Sequence, residues 1–348
     1  MKNLCLFLLC LGYWPIRGRA RQAPTKIKQA LIFRSKPHVG DMVYVTPLFA
    51  AIKKTHPETT ITLVAGGRVE EVVRYNPDIT QSIHYHNNFW ATWRTIRQLM
   101  PDFACLANLG SIEGLALLYL SGAKCVSVLS WNETGVSWIY NILKKLVVTK
   151  PFARGSYVPP LYLALLDPIG ANTGDAHFRL YFSKEAKAKA EMLTGFVVGI
   201  APGGSTKDRW WPAARYVAVA NWLAENYGAK IAFLGAGVDK EAIDQVIVGL
   251  NPQVSYINFY NQSLDEFKAT IAGLDLIIGN DSGPMVTADA FDIPQLIFVG
   301  PTDEREYHLP PSPTYRILKA SDKKIDSISF VTAQAELVSL LDNLTRLK

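Results

Sequence analysis

A glycine-rich loop carrying two cations, at residues 201–212, is the segment of this sequence best suited to hold an anion. It reads Ala-Pro-Gly-Gly-Ser-Thr-Lys-Asp-Arg-Trp-Trp-Pro and follows an apolar run typical of a buried strand. Glycines let a backbone approach a ligand, hydroxyls and amides donate hydrogen bonds, and the lysine and arginine supply positive charge. An ordinary strand-to-helix turn is the alternative. The candidate anion-binding residues are Gly204, Ser205, Thr206, Lys207 and Arg209.

A second loop, at residues 279–284, reads Gly-Asn-Asp-Ser-Gly-Pro and joins a predicted strand to a predicted helix. Asp281 or Ser282 could simply cap that helix, with Pro284 in its first turn. Small polar residues flanked by glycine at a helix N-terminus also favour a phosphate, because amides without partners point outward there. Asp281, Ser282 and Gly283 are therefore candidates to bind a phosphate group.

A third loop, at residues 235–241, begins with the Gly-x-Gly of a dinucleotide fingerprint, but Lys240 stands where the third glycine belongs. A nicotinamide enzyme is thus weakly supported. Asp239 and Glu241 could instead accept hydrogen bonds from sugar or ribose hydroxyls.

In the first half, residues 34–41 lead from a predicted strand into a predicted helix over 40–55. Gly40 leaves room for a substrate, and Asp41 stands at the helix start, either as a catalytic acid–base group or as a cap complementing the helix dipole. Lys36 and His38 share the loop and, with Gly40, are candidates to contact a substrate.

The elements that must position these loops alternate between strand and helix. Residues 230–234 are one of several short apolar runs with helical stretches between them; the others are 30–34, 61–65, 103–109, 125–129, 196–201, 274–279 and 295–299. This alternation predicts an α/β fold with parallel sheets covered by helices on both faces. Two such halves predict two doubly wound, Rossmann-like domains, residues 29–180 and 181–348. The final helical stretch, 328–348, is a candidate to pack back across their interface.

Composition excludes several classes of protein. With 348 residues, 49% hydrophobic and 19% charged, the chain is neither disordered nor a small disulfide scaffold, and its four cysteines show no zinc-binding spacing. The net charge of +6 is uneven: residues 1–40 contain eight Lys and Arg and no acid, which leaves the rest at −2. A nucleic-acid binder needs a basic face on its folded body, so no nucleic-acid partner is expected.

The N-terminal segment, residues 1–28, combines an apolar run at 4–14 with a basic stretch. At ~1.5 Å per helical residue the run is too short to cross a hydrocarbon core ~30 Å thick. A helix lying in the membrane interface with its basic tail against anionic headgroups is the favoured interpretation. A cleaved signal peptide and a plain packed helix are the alternatives.

Taken together, these loops resemble glycosyltransferase family 9, the ADP-heptose:lipopolysaccharide heptosyltransferases. The resemblance covers nearly the whole chain beyond residue 28. Four motifs carry it: His-Val-Gly-Asp at 38–41 followed by Thr-Pro-Leu at 46–48, the loop at 202–212, Gly-Asn-Asp-Ser-Gly-Pro-Met at 279–285, and Gly-Pro-Thr-Asp at 300–303.

The resemblance implies the GT-B architecture, in which two Rossmann-like domains face each other across a cleft. It implies an inverting transfer of a sugar, heptose, from ADP-heptose to a lipid-linked saccharide such as the lipopolysaccharide core. Asp41 then falls on the family's general base and Arg209 on its donor-phosphate cation, with Thr206 and Lys207 nearby. The acceptor side of the site falls on Lys36, His38 and Gly40. The donor's phosphates and sugar fall on 281–283, and the ribose contact on Asp239 or Glu241.

One position departs from the family pattern, because Val286 directly follows Met285 where members commonly carry histidine close to this position. A nucleotide-sugar or glycan binding protein without turnover is therefore the alternative, and an epimerase of the same plan is a third. No carboxylate pair of the Asp-x-Asp type lies in these loops, so we expect no metal and no cofactor. The implied location is cytoplasmic, peripheral on the inner face of the cytoplasmic membrane.

Overall fold

The computed structural model describes residues 2–22, 24–35, 39–130, 137–191, 193–309 and 311–347. The chain divides into two compact units, Met1–Arg179 and Leu180–Lys348. Each unit has its own six-stranded sheet, and every strand pair in both sheets is parallel. The α/β class predicted from the alternation of strands and helices is confirmed.

The first unit is built on strands β1 (Gln29–Arg34), β2 (Thr60–Ala65), β3 (Gln81–His84), β4 (Phe103–Leu106), β5 (Cys125–Ser130) and β6 (Val148–Pro151). Its described α-helices are α1 (Lys2–Arg17), α2 (Val39–Val43), α3 (Pro47–Thr55), α4 (Val69–Val73), α5 (Phe89–Gln98), α6 (Ile112–Leu120), α7 (Trp138–Leu143) and α8 (Val158–Leu163). The strand order is β3-β2-β1-β4-β5-β6. This order reverses direction between β1 and β4, which is the Rossmann arrangement.

The second unit repeats the plan with β7 (Val197–Ala201), β8 (Lys230–Gly235), β9 (Tyr256–Tyr260), β10 (Leu276–Asn280), β11 (Gln295–Val299) and β12 (Tyr315–Lys319). Its described α-helices are α9 (Lys184–Ala190), α10 (Ala213–Tyr227), α11 (Lys240–Val248), α12 (Leu264–Ala272), α13 (Gly283–Asp289), α14 (Glu304–Tyr307) and α15 (Phe330–Leu347). The order β12-β11-β10-β7-β8-β9 reverses between β7 and β10. Both sheets therefore have the same topology.

The helix predicted over residues 40–55 is two helices, α2 and α3, separated by a turn at 44–46. Pro47 is the first residue of α3 and has no N–H to continue the bonding of α2. A proline also disfavours helical backbone at the residue before it. In the turn, the Thr46 hydroxyl donates to the carbonyl of Val43 at 2.7 Å. The break confines Asp41 to the short helix α2.

Helix α1 belongs to the core of the first unit. Its residues Leu6, Phe7 and Cys10 are buried in the same apolar cluster as α6 and α7, and Ala20 forms a parallel bridge with Val147. Residues 1–28, predicted as a membrane-associating extension, are part of the first unit, and one side of α1 packs against an apolar surface of that unit. Within the described ranges, no helix has the length and apolar content needed to cross a membrane.

The C-terminal helix α15 packs in the core of its own unit. Its residues Ala333, Leu337, Leu340 and Leu341 are buried in one cluster with residues of α10 and the second sheet. The apolar side that suggested a packing role across an interface is thus covered by the unit to which the helix belongs.

Candidate active site

Three of the four predicted loops follow strands at the point in each sheet where the strand order reverses, and the loop at 235–241 follows the neighbouring strand β8. Connections from the two central strands leave toward opposite faces there, which opens a crevice at their carboxyl ends. In the first unit, the loop after β1 leads to Asp41 on α2. In the second unit, the loop after β7 is the cationic one at 201–212, and the loop after β10 is the one at 279–284. The topology therefore places all of these candidates at ligand-binding edges.

Asp41 is the third residue of α2, and its side chain is 35% exposed. The guanidinium of Arg34, at the end of β1, donates from Nη2 to Asp41 Oδ2 at 2.6 Å. Arg34 is buried, and its Nη1 also donates to the Ala107 carbonyl and, at 2.9 Å, to the Tyr162 hydroxyl. The carboxylate is thus held through Oδ2 by a fixed cation, and within the described part of the chain Oδ1 has no hydrogen-bond partner.

The buried Tyr162 of α8 contacts the Arg34 member of this ion pair. Its ring centroid lies 5.9 Å from the Arg34 guanidinium carbon. Burial raises the pKa of Tyr162, an effect that the charge and hydrogen bond of Arg34 oppose. Gly40 has open space around its Cβ position, so the backbone beside Asp41 is accessible. Lys36 and His38, predicted for the acceptor side, lie outside the described residues.

Asn280, the last residue of β10, fastens the two loops of the second unit to each other. Its side chain is fully buried, and Nδ2 donates to the carbonyls of Pro202 at 2.7 Å and Gly203 at 2.9 Å. Its Oδ1 accepts from the Trp211 N–H at 3.0 Å and from the Tyr216 hydroxyl at 2.9 Å. Two donor hydrogens and two acceptor lone pairs are all used. The loops are therefore held in one fixed relation before any ligand arrives.

Asp239 fastens a third loop to the same place. Its Oδ1 accepts from the Gly204 N–H and its Oδ2 from the Ala236 N–H, each at 2.9 Å. A Cβ on Gly203 would lie 2.1 Å from Asp239 Oδ1, so only glycine fits there. Asp239, predicted to contact ribose, thus has a structural task that the sequence did not indicate: it joins the loop after β8 to the loop after β7.

The exposed part of the cationic loop begins at Ser205 and includes Thr206 and Lys207. Lys207 Nζ lies 2.6 Å from Glu241 Oε2 and 5.5 Å from the centroid of the Trp210 ring. Both members of this ion pair are more than half exposed. Such a pair adds little stability, so an anionic ligand can compete for the lysine at small cost.

Asp281 is a largely buried carboxylate at this edge, with its side chain 13% exposed. His308 Nε2 donates to its Oδ1 at 2.9 Å, and the Thr302 hydroxyl donates to its Oδ2 at 2.6 Å. Burial favours the neutral carboxyl, but these hydrogen bonds, the charge of His308 and that of Arg209 outweigh it, so the pKa of Asp281 is lowered. The effect of Arg209 shows that both predicted loops bring their charged groups into the same region. The Tyr315 hydroxyl, 2.9 Å from His308 Nδ1, holds the imidazole ring.

Ser282 and Gly283 begin helix α13. The Ser282 hydroxyl donates to the Asn280 carbonyl at 3.0 Å and makes no capping bond to the helix. Because Gly283 is the first helical residue, its N–H has no acceptor within the helix and points outward. Val286, one turn further along, is buried. The imidazole at this loop comes from His308 instead.

Sequence reasoning assigned no role to four residues of these edges: Arg34, Tyr162, Asn280 and His308. Asn280 lies inside one of the motifs, and Arg34 lies just before another. Each is a polar residue at the end of an apolar run, and this feature could have indicated both. The tyrosine and histidine gave no such indication, because they meet their partners only through the fold. Among the described residues, no three His, Cys, Asp or Glu side chains are grouped so that they could hold a metal ion.

Two units of Rossmann topology are the architecture of GT-B proteins, and the solved family 9 structures share it. Residues 162–332 match the family model of glycosyltransferase family 9 (heptosyltransferase). These residues carry the glycosyltransferase family 9 domain that the motifs predicted, and the protein is a glycosyltransferase.

A curated relative is similar to this chain in sequence, and two solved structures share its fold. Lipopolysaccharide heptosyltransferase 2 of Salmonella typhimurium is 28% identical over 292 residues, which cover 76% of this chain and 80% of the relative. A family 9 glycosyltransferase from Veillonella parvula superposes with a TM-score of 0.77 at 19% identity, covering 90% of this chain and 98% of that one. The E. coli ADP-heptose lps heptosyltransferase II gives 0.73 at 20% identity, with the same coverage.

Proposed function

We propose that this protein transfers heptose from ADP-heptose to a lipid-linked saccharide such as the lipopolysaccharide core, with inversion at the anomeric carbon. The observation that carries the proposal is the pair of edges just described: anion-binding loops fixed by Asn280 in one unit, and an oriented, accessible carboxylate, Asp41, in the other. The saccharide and nucleotide are those in the names of the Salmonella and E. coli relatives. The first unit would then hold the acceptor and the second the donor.

The donor diphosphate is proposed to lie against Arg209, Lys207 and the N–H of Gly283, the first residue of α13. Its leaving oxygen gains negative charge as the bond to the anomeric carbon breaks. Positive groups and N–H donors on a backbone that is already in place stabilise this charge with less reorganisation, and Asn280 holds the backbone of both loops. Ser205 and Thr206 would add hydroxyl donors. Because these side chains supply the positive charge, the proposal includes no metal ion and no cofactor.

The donor's ribose is proposed to meet Glu241 or Asp239. Glu241 is exposed beside Lys207, and each oxygen of Asp239 can accept a second hydrogen bond in addition to its backbone N–H. Both carboxylates therefore suit a diol that donates hydrogen bonds.

Asp41 is proposed as the general base. The acceptor hydroxyl attacks the anomeric carbon, its proton passes to Asp41 Oδ1, and the carbon–oxygen bond to the diphosphate breaks with its electron pair going to the phosphate oxygen. Attack and departure occur on opposite faces, so the configuration inverts. Arg34 acts as a positioning residue, because it holds Oδ2 at 2.6 Å and thereby orients Oδ1. General base catalysis contributes typically 10²–10⁴-fold to a rate.

The proposed substrates also set the location. Nucleotide-activated sugars are made in the cytosol, and the acceptor is a membrane lipid, so we place the protein peripherally on the cytoplasmic face of the inner membrane.

A nucleotide-sugar binding protein without turnover is the second candidate, and Val286 favours it because the family's histidine is absent there. The contact of His308 with Asp281 favours the enzyme, since an imidazole still supports the donor loop.

The test uses the purified chain with ADP-heptose and a truncated lipopolysaccharide acceptor, in the presence of EDTA. We expect product with inverted anomeric configuration by NMR. Asp41→Asn is expected to lower kcat by about 10²–10⁴-fold while the Kd for ADP-heptose changes less than twofold. Glu58→Gln, an exposed carboxylate of the same unit, is the matched control and should leave kcat unchanged. Absence of product with donor still bound would support the binding protein, and full activity of Asp41→Asn would remove this residue from the base role.

A further inference from the structure

An apolar, uncharged helix face lies on the outside of the first unit. Helix α1 contains no charged residue between Lys2 and Arg17, and its inner side is buried through Leu6, Phe7 and Cys10. Its outer side is apolar as well; the large exposed side chains of the helix are Leu4, Leu8, Leu9, Trp14 and Ile16. A helix that faces water normally carries polar residues on that side. This outer side therefore indicates a surface that another apolar phase covers.

Tryptophans of the two neighbouring helices extend this surface. The ring of Phe7 meets the edge of Trp138 of α7 with centroids 5.2 Å apart, and Trp138 is more than half exposed. On the other side, Leu9 and Trp90 of α5 line one open cavity of about 390 Å³, and Trp90 is also half exposed. The exposed apolar side of α1 thus has an exposed tryptophan, Trp138 or Trp90, next to it on each flank.

Cationic residues are concentrated around the exposed apolar side of α1. Helices α1, α5 and α7, with the 3₁₀ turn at Lys144–Leu146, contain no acidic residue. Their cations are Lys2, Arg17, Arg94, Arg97, Lys144 and Lys145, and Arg19 and Arg21 follow α1 directly. In the helix beneath, α6, the one acid is Glu113, which pairs with Lys2 at 2.7 Å. The exposed apolar side of α1 therefore lies in a region of strongly positive charge.

We propose that the outer side of α1 with Trp90, Trp138 and these cations, here named the α1 face, docks on an anionic lipid bilayer. Apolar side chains of an interfacial helix enter the boundary between headgroups and acyl chains, where tryptophan also prefers to lie. Lysine and arginine around them are attracted to anionic headgroups. A second copy of the chain fits the surface less well, because a twofold contact would press the same cations against each other.

The α1 face extends to the carboxyl edge of the first sheet. Lys2, at the N-terminal end of α1, pairs with Glu113, and Glu113 accepts a hydrogen bond from the hydroxyl of Tyr85, directly after β3. Asp41 follows β1 at that same edge. Docking would therefore hold the acceptor edge beside the leaflet that contains a lipid-linked acceptor, a step that rests on the proposed function.

Vesicle flotation with the full chain tests the docking itself. We expect binding to vesicles of phosphatidylethanolamine and phosphatidylglycerol. The double variant Leu8→Asp with Ile16→Asp, at positions 59% and 81% exposed, should weaken this binding at least tenfold without loss of the folded state. The matched control is Val248→Asp with Val331→Asp, 86% and 70% exposed on the second unit, which should change binding less than twofold.

A second pair of variants tests the charge contribution. Arg19→Gln with Arg94→Gln should weaken binding to the phosphatidylglycerol vesicles by roughly tenfold or more, and leave binding to pure phosphatidylcholine unchanged. Equal binding of the wild-type chain and the Asp variants to anionic vesicles would overturn the proposal. So would a wild-type dimer in light scattering that the Asp variants convert to monomer, because the α1 face would then be a contact between copies.

Activity measured on two forms of acceptor separates this inference from the proposed function. We expect the Asp variants to raise KM for acceptor embedded in anionic vesicles and to keep wild-type kcat and KM for acceptor in detergent micelles. If no transfer occurs in either form, the proposed function fails while flotation still decides the docking. If both forms are used equally well by the variants, the link between docking and acceptor access is refuted.

Discussion

Asp289, in the last turn of α13, is a buried carboxyl whose ionisation should destabilise the second unit. Its Oδ1 accepts from the Gln295 amide, and its Oδ2 has no hydrogen-bond partner among the described residues. Burial raises the pKa of Asp289 to about 7, although the charge of His308 and the Gln295 hydrogen bond oppose this and Asp292 adds to it.

The sign of the pH effect follows from the two states of the chain. In the unfolded chain an aspartate titrates near its ordinary pKa of about 3.9, so between about pH 4 and pH 7 the folded state binds more protons. Stability should therefore fall as pH rises through this window and level off above it. Three pKa units at about 1.4 kcal/mol each give a full effect of about 4 kcal/mol, an upper limit, of which about 2–3 kcal/mol develops between pH 5 and pH 8. Asp281 does not contribute there, because its lowered pKa affects stability only as pH falls below about 4.

Asp289→Asn removes the titration and keeps the shape and the acceptor for Gln295. We expect the stability of the variant relative to the wild type to rise by about 2–3 kcal/mol between pH 5 and pH 8, measured by urea unfolding at both pH values. Asp244→Asn is the control; it breaks an exposed pair with Lys240 and should change stability by less than about 0.5 kcal/mol at either pH. A pH-independent difference between wild type and Asp289→Asn would refute the reasoning, since it would mean that this carboxyl ionises at no cost.

Two further predictions concern the two edges of the site. Arg34→Gln should lower kcat by about tenfold or more and leave the Kd for ADP-heptose unchanged, because Asp41 loses its orienting cation. Arg34→Lys should restore part of kcat, and the exposed control Arg68→Gln should have no effect. An unchanged kcat in Arg34→Gln would show that Asp41 needs no such partner. Asn280→Ala should lower the free energy of unfolding by about 3–4 kcal/mol and weaken ADP binding, measured by calorimetry, at least tenfold, because four hydrogen bonds are lost. The control is Asn226→Ala, which loses one exposed hydrogen bond. Normal ADP affinity in Asn280→Ala would contradict the role of Asn280 in holding the loops together.

The sequence identified the eight inner strands and missed the four that lie at the sheet edges: β3, β6, β9 and β12. Inner strands of a parallel sheet are covered on both faces and read as unbroken apolar runs, as in β7 and β10, where every residue is buried. The missed strands mix buried or half-buried with exposed residues, and β3 has three exposed positions out of four. No apolar run marks such a strand, so only its pairing with a neighbour defines it.

The N-terminal segment shows the same division. The apolar run and its basic end are local properties that the sequence contains. They favoured a helix in the membrane interface, with a packed helix and a cleaved signal peptide as alternatives. The fold decided that Leu6, Phe7 and Cys10 pack inward and that Leu8 and Ile16 stay outside. An apolar run without polar positions cannot indicate which of its sides will be covered, because that depends on the surface of α6 beneath it.

By itself the sequence determined which loops carry the chemistry, because glycines, hydroxyls and charges at the ends of apolar runs are written locally. Only the tertiary structure decided which groups those loops meet. Tyr162 reaches Arg34 across 128 positions, and His308 reaches Asp281 across 27. Each of these pairs joins elements that become neighbours only when the strands and helices of the unit pack together. A hydrogen bond between them depends on distances that no spacing in the sequence contains.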